Sequence, residues 1–255
     1  MSNRLRNLTR LAVVLIAVAI IGNVLLYVLG NSPFNVHDLS IERKIGSNQV
    51  RGVLIRTQIG KVDVVPIEGN EIRATLEGKT TKKWMKDYQL VVEEDQGLAR
   101  IEAVQESKFR FFDFYTDFKL TVGIPDAKLN QLQVETDSGN IHIGSVDASE
   151  YLAKSDSGTI KLDIKKGLIH AKTDTGEIVV ALDHIDHDIL AATDSGDITV
   201  QTAQAPNALH TKLTTDSGKV NVSLPDYRDG MIGEGGPLVN LSSDTGNLTI
   251  KQSEY

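Results

Sequence analysis

The chain has 255 residues, of which 40% are hydrophobic and 5% aromatic, so a normal core is available but must be mostly aliphatic. It has no cysteine, which excludes disulfide staples, thiolate zinc sites and a lipid-modified cysteine anchor. The net charge is −7, and because residues 1–30 hold three arginines and no acid, residues 31–255 carry −10. Such a surface repels phosphate backbones, so we expect no nucleic-acid partner.

An uncharged apolar run occupies residues 11–29 and follows a short basic segment, residues 1–10. At 1.5 Å per residue a helix over this run spans roughly 28 Å, which matches the hydrocarbon thickness of a bilayer. Arg4, Arg6 and Arg10 precede the run, whereas the ten residues after it contain no Lys or Arg. The positive-inside rule predicts a cytoplasmic N-terminus, a single membrane crossing and an outside domain. Val28-Leu29-Gly30 also fits a cleavage sequence, so a signal peptide remains the alternative.

A [T/S]-D-[S/T]-G tetrad occurs six times in the second half of the chain. Apolar residues stand two and four positions after each glycine and alternate with polar ones, which is typical of a strand with one buried face. Each unit therefore predicts strand, turn, strand. We expect each Gly to adopt positive φ and each Asp to accept a hydrogen bond from the Gly N–H in an Asx-turn. The predicted turn residues are Asp137, Gly139, Asp156, Gly158, Asp174, Gly176, Asp194, Gly196, Asp216, Gly218, Asp244 and Gly246.

Units of this length favour an all-β fold, a parallel β-solenoid in which each rung lies about 4.8 Å above the one before it in sequence. We expect residues 126–255 to form the regular solenoid, with the charged tail 251–255 shielding its last edge. Residues 30–125 are expected to form a degenerate β-rich cap. A fainter copy of the unit lies at residues 53–64, and residues 90–101 are either another copy or a plain hairpin.

The tandem T-D-S-G-x-I-x-I units, the strand end Val122-Gly123-Ile124-Pro125 and the N-terminal anchor resemble the bacterial putative-adhesin β-strand-repeat family. Within that family the arrangement is similar to LiaG-like members, which are membrane-anchored and are encoded with a cell-envelope stress-response system. The resemblance implies the solenoid fold and a location in the cell envelope. It carries over no catalytic residue, because the family has no established activity.

Several segments offer chemistry that competes with a structural interpretation. D-S-G and D-T-G also occur in aspartic proteases, but six copies in series with polar flanks do not fit that site. Aspartates in register could bind Ca²⁺, although we favour a purely structural role and predict no metal or cofactor. Residues 183–188 (DHIDHD) are rich in metal-ligand types but fit a solvated connection between rungs. The glycine-rich loop 225–237 is expected to be mobile.

The aromatic stretch at residues 108–118 is the most unusual segment, since it gathers five of the six phenylalanines. We favour a plug over the open end of the solenoid, with Phe112 and Phe114 on the buried face. The alternative is an exposed patch that contacts a partner or the membrane. Its candidate contact residues are Phe109, Phe111, Phe112, Phe114 and Tyr115.

These patterns together predict a non-enzymatic, membrane-anchored extracytoplasmic protein that binds or scaffolds an envelope component. The expected partners are the lipid bilayer, through residues 11–29, and another envelope protein or a wall polymer. Two alternatives remain open. A polysaccharide-active β-helix enzyme would need clustered carboxylates in a groove, and a Ca²⁺-dependent adhesin would need the aspartates to act as ligands.

Overall fold

The computed structural model describes residues 3–28, 35–58, 60–82, 84–106, 117–126 and 128–253. Helix α1 (Asn3–Val28) comes first. Within it, Arg6–Leu25 has a mean hydropathy of 2.3 and is long and apolar enough to cross a membrane. The large apolar side chains of this stretch are exposed around the helix, Leu15 and Ile16 both at 60%, so the segment has no buried stripe of the kind a soluble helix shows. An N-terminal signal sequence has the same features.

In the part of the chain that the structure describes, twenty strands follow the helix and form two open ten-stranded sheets. The first seven strands are β1 (Val36–Gly46), β2 (Gly52–Thr57), β3 (Lys61–Ile67), β4 (Glu71–Thr81), β5 (Tyr88–Asp95), β6 (Leu98–Gln105) and β7 (Lys119–Pro125), with a 3₁₀ turn at Met85–Asp87. The others are β8 (Leu129–Ser138), β9 (Ile141–Gly144), β10 (Ala148–Ser157), β11 (Ile160–Ile164), β12 (Leu168–Thr175), β13 (Ile178–Leu182), β14 (Ile189–Ser195), β15 (Ile198–Thr202), β16 (Leu209–Ser217), β17 (Val220–Ser223), β18 (Met231–Ile232), β19 (Leu238–Thr245) and β20 (Leu248–Gln252).

Each tetrad unit contributes one strand to each sheet, and equivalent residues pair in parallel register. Sheet A runs β1-β4-β7-β3-β9-β11-β13-β15-β20-β17, and sheet B runs β18-β16-β19-β14-β12-β10-β8-β2-β6-β5. The inward residues form continuous aliphatic ladders, as period-two alternation predicts. One ladder consists of Ile141, Ile160, Ile178, Ile198 and Leu248, each at most 1% exposed. The all-β solenoid prediction is confirmed.

The rungs do not stack in chain order, so the serial arrangement expected from the sequence is wrong. The last unit, β19–β20, lies between the fourth unit, β14–β15, and the fifth, β16–β17. Two aspartates of the fourth unit hold it there: Asp188 Oδ1 accepts from the Leu238 N–H at 2.8 Å, and Asp197 Oδ1 accepts from the Asn247 N–H at 2.7 Å. The fifth unit suits the end of the stack, because Thr211 stands in the ladder position that Val239 fills in the sixth.

This order also corrects the role expected for the C-terminal tail. Strand β20 is paired by β15 on one side and β17 on the other, so Lys251 lies inside the sheet rather than at its edge, and residues 254–255 lie outside the described residues. The loop 225–237, expected to be mobile, instead supplies β18, which pairs antiparallel with the start of β16. Ile232 is buried, and Tyr227 Oη lies 2.7 Å from Thr211 Oγ1. The fifth unit remains partly open, with Val220 49% exposed.

The N-terminal half continues the same stack. The faint copy at residues 53–64 is a true rung, because β2 pairs in parallel with β8 and β3 with β9. Residues 90–101 form the hairpin β5–β6, the second of the two predicted options. Antiparallel strands β1, β4 and β5 end the parallel stack on this side. One hydrophobic cluster runs from Leu39 to Ile250, so both halves share a core.

Candidate binding surface

The tetrad turns are held by contacts between rungs rather than within each turn. The Gly139 N–H donates to Ser157 O at 2.9 Å on the next rung, and the four equivalent glycines 158, 176, 196 and 246 do likewise. In return the Thr173 hydroxyl donates to Gly158 O at 3.2 Å, and the first hydroxyl residue of other tetrads repeats this bond. The expected Asx-turn is therefore wrong at these five turns, because the ladder already uses the Gly N–H.

Glycine is required at these turns for a second reason besides its φ, which is +152° at Gly196. A Cβ built on Gly196 would lie 2.0 Å from the carbonyl oxygen of Gly176 on the adjacent rung. The same clash recurs at 1.9–2.2 Å for glycines 60, 139, 158, 176, 218 and 246. Stacked backbones thus approach too closely for any side chain at this position.

The six tetrad aspartates point to solvent. All six are exposed, and within the described residues no hydrogen bond reaches their carboxylates. Asp156 and Asp174 lie 4.0 and 3.9 Å from Lys154 and Lys172, respectively. Across the part of the chain that the structure describes, no group of three or more His, Asp or Glu side chains is arranged to hold a metal ion.

The outer face of sheet A carries a row of aspartate, lysine and histidine side chains that the sequence analysis did not predict as a site. His142 lies between two carboxylates, with Nδ1 2.7 Å from Asp63 Oδ1 and Nε2 3.0 Å from Asp163 Oδ2. Lys119 Nζ lies 2.8 Å from the other oxygen of Asp63, Oδ2, and Lys161 Nζ lies 2.8 Å from Asp163 Oδ2, the same oxygen that His142 contacts. Both hydrogen bonds of His142 are complete only when the ring carries two protons.

The carboxyl groups of Asp63 and Asp163 in this row are ionised more readily than usual. Burial raises the pKa of Asp63, but hydrogen bonds from Lys119 and His142 outweigh burial, and the pKa lies below its ordinary value. The pKa of Asp163 is lowered for the same reasons, with Lys161 in place of Lys119. Both carboxylates are paired with a lysine, so the arrangement ties four strands together and offers no free carboxylate to a ligand.

The outer face of sheet B has the opposite character, because it holds a groove of about 350 Å³ lined mostly by carbon. Two rows of outward side chains border it. The leucine row consists of Gln133, Leu152, His170, Leu190 and Asn240, and the lysine row of Glu135, Lys154, Lys172, Ala192 and Ser242. Between them the floor includes Ala153, Ala171 and Ala191, whose side chains are buried beneath the sheet.

The groove is charged at one end and neutral at the other. Lys154 and Lys172 are direct partners on β10 and β12 and are 58% and 57% exposed. Beyond them, on β14 and β19, the row continues with Ala192 and Ser242. At the β8 end of the lysine row, Glu135 accepts from Arg56 Nε at 2.7 Å. Burial raises the pKa of Glu135, but hydrogen bonds from Arg56 and Gln133 outweigh burial, so the pKa lies below its ordinary value. The charged residues that line the groove are therefore two lysines and one carboxylate, and their summed charge is positive.

The other segments singled out in the sequence lie away from this groove. Phe109, Phe111, Phe112, Phe114 and Tyr115 fall outside the described residues, so the choice between plug and contact patch stays a prediction. Phe118, at the end of that stretch, is fully buried and stacks on Tyr88 with ring centroids 4.2 Å apart. In the segment 183–188, which connects β13 to β14, Ile185 is buried and Asp188 binds the Leu238 N–H.

Fold and surface together define a two-sheet β-solenoid repeat protein with a carbon-lined groove on one face. The Toastrack DUF4097 family model matches residues 53–165 and again residues 121–251, which together cover more than half of the chain. The chain belongs to this family, which confirms the membership predicted from the repeats. No curated protein sequence matches the chain.

Solved structures similar to the chain come from several bacteria. A "putative cell adhesion protein" of Clostridium sporogenes is 13% identical with a TM-score of 0.48, and the match covers 85% of this chain and 100% of that one. A "putative adhesin" of Bacteroides fragilis is 15% identical over 84% and 97%, with a TM-score of 0.32. A "putative lipid binding protein" of Parabacteroides distasonis is 12% identical over 85% and 95%, with a TM-score of 0.35. At these scores the likenesses carry no argument about function.

Proposed function

We propose that the protein is a non-enzymatic, membrane-anchored binding protein of the cell envelope, with residues 36–253 outside the membrane. The observation that carries this proposal is the carbon-lined groove on the rigid outer face of sheet B. Its bordering side chains come from five adjacent rungs, β8 to β19, and are fixed in register by the ladder. A surface of this kind selects a ligand by shape and charge without needing to move.

The anchor and the orientation rest on α1 and its flanks. Arg4, Arg6 and Arg10 precede the uncharged run 11–29, and the segment between α1 and β1 holds no basic residue. The positive-inside rule therefore supports a cytoplasmic N-terminus. The resemblance to LiaG-like proteins supports a link to envelope stress, which predicts that the amount of the protein rises when cells are treated with a wall-active antibiotic.

Binding is favoured over polysaccharide hydrolysis by the groove itself. Glycosidases use two carboxyl groups that flank the scissile bond. Among the described residues that line the groove, Glu135 is the single carboxylate, and it is engaged by Arg56. The Ca²⁺-dependent alternative is tested directly by calorimetric titration of the purified protein with Ca²⁺. We expect no saturable heat, and a stoichiometric signal lost on Asp194→Asn would establish the aspartates as ligands.

Thiol labelling tests the anchored topology, because the natural chain has no cysteine of its own. Single cysteines at Ser2 and Ser253 are treated with an impermeant maleimide on intact cells. We expect labelling of Ser253→Cys at once and of Ser2→Cys only after permeabilisation. The reverse pattern would contradict the orientation. A mature chain that begins near Asn31 would show that α1 is a cleaved signal sequence.

A further inference from the structure

We propose that the groove on sheet B binds one acyl chain of an anionic lipid, with the lipid head group held by Lys154 and Lys172. This inference rests on the proposed function, in which the domain is a binding module anchored to a membrane. It commits the groove to a membrane lipid, and three features of the described residues support that choice.

The first feature is the lining. An outward sheet face in contact with water normally carries polar side chains. The outer face of sheet A follows this rule, with Lys161 and Asp163 on β11. The corresponding strand of sheet B, β10, instead turns Leu152 outward, and β14 turns Leu190 and Ala192 outward. At about 350 Å³ the groove is near the lower end of small-molecule sites, which suits one chain rather than two.

The second feature is the pair of lysines. Lys154 and Lys172 face each other across adjacent strands, an arrangement that is unfavourable for like charges. Each has an aspartate at about 4 Å, the outer limit of an ion pair, and neither ammonium group forms a hydrogen bond among the described residues. A phosphate or carboxylate between them would accept hydrogen bonds from both ammonium groups and reduce their mutual repulsion. Because the same row becomes Ala192 and Ser242 farther along, the groove has one anion-binding end and one apolar end, as an amphiphile does.

The third feature is the tether. Seven residues, 29–35, separate the end of α1 from the start of β1, and a chain of that length reaches at most about 25 Å. The domain is therefore held near the lipid surface. Its net charge of −10 opposes general adsorption to an anionic membrane, but salt limits that repulsion to a Debye length of about 8 Å. At contact, the local lysine pair decides the interaction.

Photo-crosslinking of the full chain tests the proposal. The protein is placed in phosphatidylcholine nanodiscs that contain a trace of phosphatidylglycerol with a diazirine on its acyl chain, or the same probe on phosphatidylcholine. After irradiation, crosslinked peptides are mapped by mass spectrometry. We expect the anionic probe, and not the zwitterionic one, to label peptides within residues 148–195 as well as α1. Because each lysine can donate a charge-assisted hydrogen bond to the lipid phosphate, Lys154→Gln with Lys172→Gln should reduce that labelling by roughly tenfold or more.

A matched control is available, because Lys219 and Lys251 are exposed lysines away from the groove. Lys219→Gln with Lys251→Gln should leave labelling unchanged, and both double variants should melt like the natural chain. Labelling confined to α1 would overturn the proposal, as would equal labelling by the two probes that survives removal of the lysine pair. Either result leaves the anchored topology untouched, since Ser253→Cys labelling tests that separately. A reversed topology would instead remove the proposed function itself.

Discussion

Replacement of Gly196 by alanine is the sharpest test of the stacked-glycine turn. The new Cβ would lie 2.0 Å from Gly176 O and 2.6 Å from Gly176 C, both backbone atoms that cannot rotate away. Overpacking of this kind costs about 1–3 kcal/mol, and a side chain at a φ of +152° adds about 1–3 kcal/mol of strain. We therefore expect a loss of about 3–5 kcal/mol, which for a domain of this size lowers Tm by about 10 °C.

Two other glycines separate the two causes. Gly69 has a φ of +114° but open space around it, so Gly69→Ala measures backbone strain alone. Gly46 has open space and no positive φ, so Gly46→Ala should stay within about 0.5 kcal/mol of the natural chain. Thermal unfolding of the three full-length variants is followed by circular dichroism in the same detergent. We expect Tm to be highest for Gly46→Ala, lower for Gly69→Ala and lowest for Gly196→Ala. If Gly196→Ala melts with Gly69→Ala, the close approach of the rungs is not what excludes a side chain.

Three further outcomes are expected. Deletion of residues 225–255 removes the rung on which the fifth unit stacks, so hydrogen exchange should show loss of protection at residues 209–223 as well; retained protection there would support serial stacking. The folded pKa values of Asp63 and Asp163 are depressed, so their contribution to stability is fully present above the ordinary Asp pKa of about 3.9. This contribution is lost as the pH falls through the folded pKa values. The Tm of Asp163→Asn should therefore fall less steeply with decreasing pH than the Tm of the natural chain. Asp194→Ala should change stability by less than about 0.5 kcal/mol, since its carboxylate makes no turn hydrogen bond; a loss as large as that of Gly196→Ala would restore the Asx-turn.

Most of the fold could be predicted from two features of the sequence, the apolar run and the repeated tetrads. A 19-residue uncharged stretch predicts a candidate membrane helix without tertiary information, because that prediction depends only on length and composition. The paired apolar positions around each tetrad likewise predict two strands and a turn. Even the degenerate rung at residues 53–64 was found this way, since Val53, Ile55, Val62 and Val64 keep the same alternation.

The use of the turn residues was only half predictable. Positive φ follows from the residue type at five of the six tetrad glycines and was wrongly expected at Gly218, and the partner of the Gly N–H does not follow from it. Both Asp194 and the adjacent rung offer an acceptor to the Gly196 N–H. The N–H donates to the carbonyl oxygen of Thr245, because the ladder fixes that oxygen in place. The sequence shows both candidate acceptors and contains nothing that ranks them.

Rung order, the sheet A row of aspartate, lysine and histidine side chains and the sheet B groove were decided by tertiary structure alone. Any unit with aliphatic residues at the ladder positions can stack on any other, so local sequence cannot say that β20 pairs with β15. The choice depends on contacts such as Asp188 with Leu238, 50 residues apart. His142, Leu152 and Lys172 stand at outward positions that the repeat leaves free to vary. Their neighbours come from other units, so the surface they form exists only once the rungs are stacked.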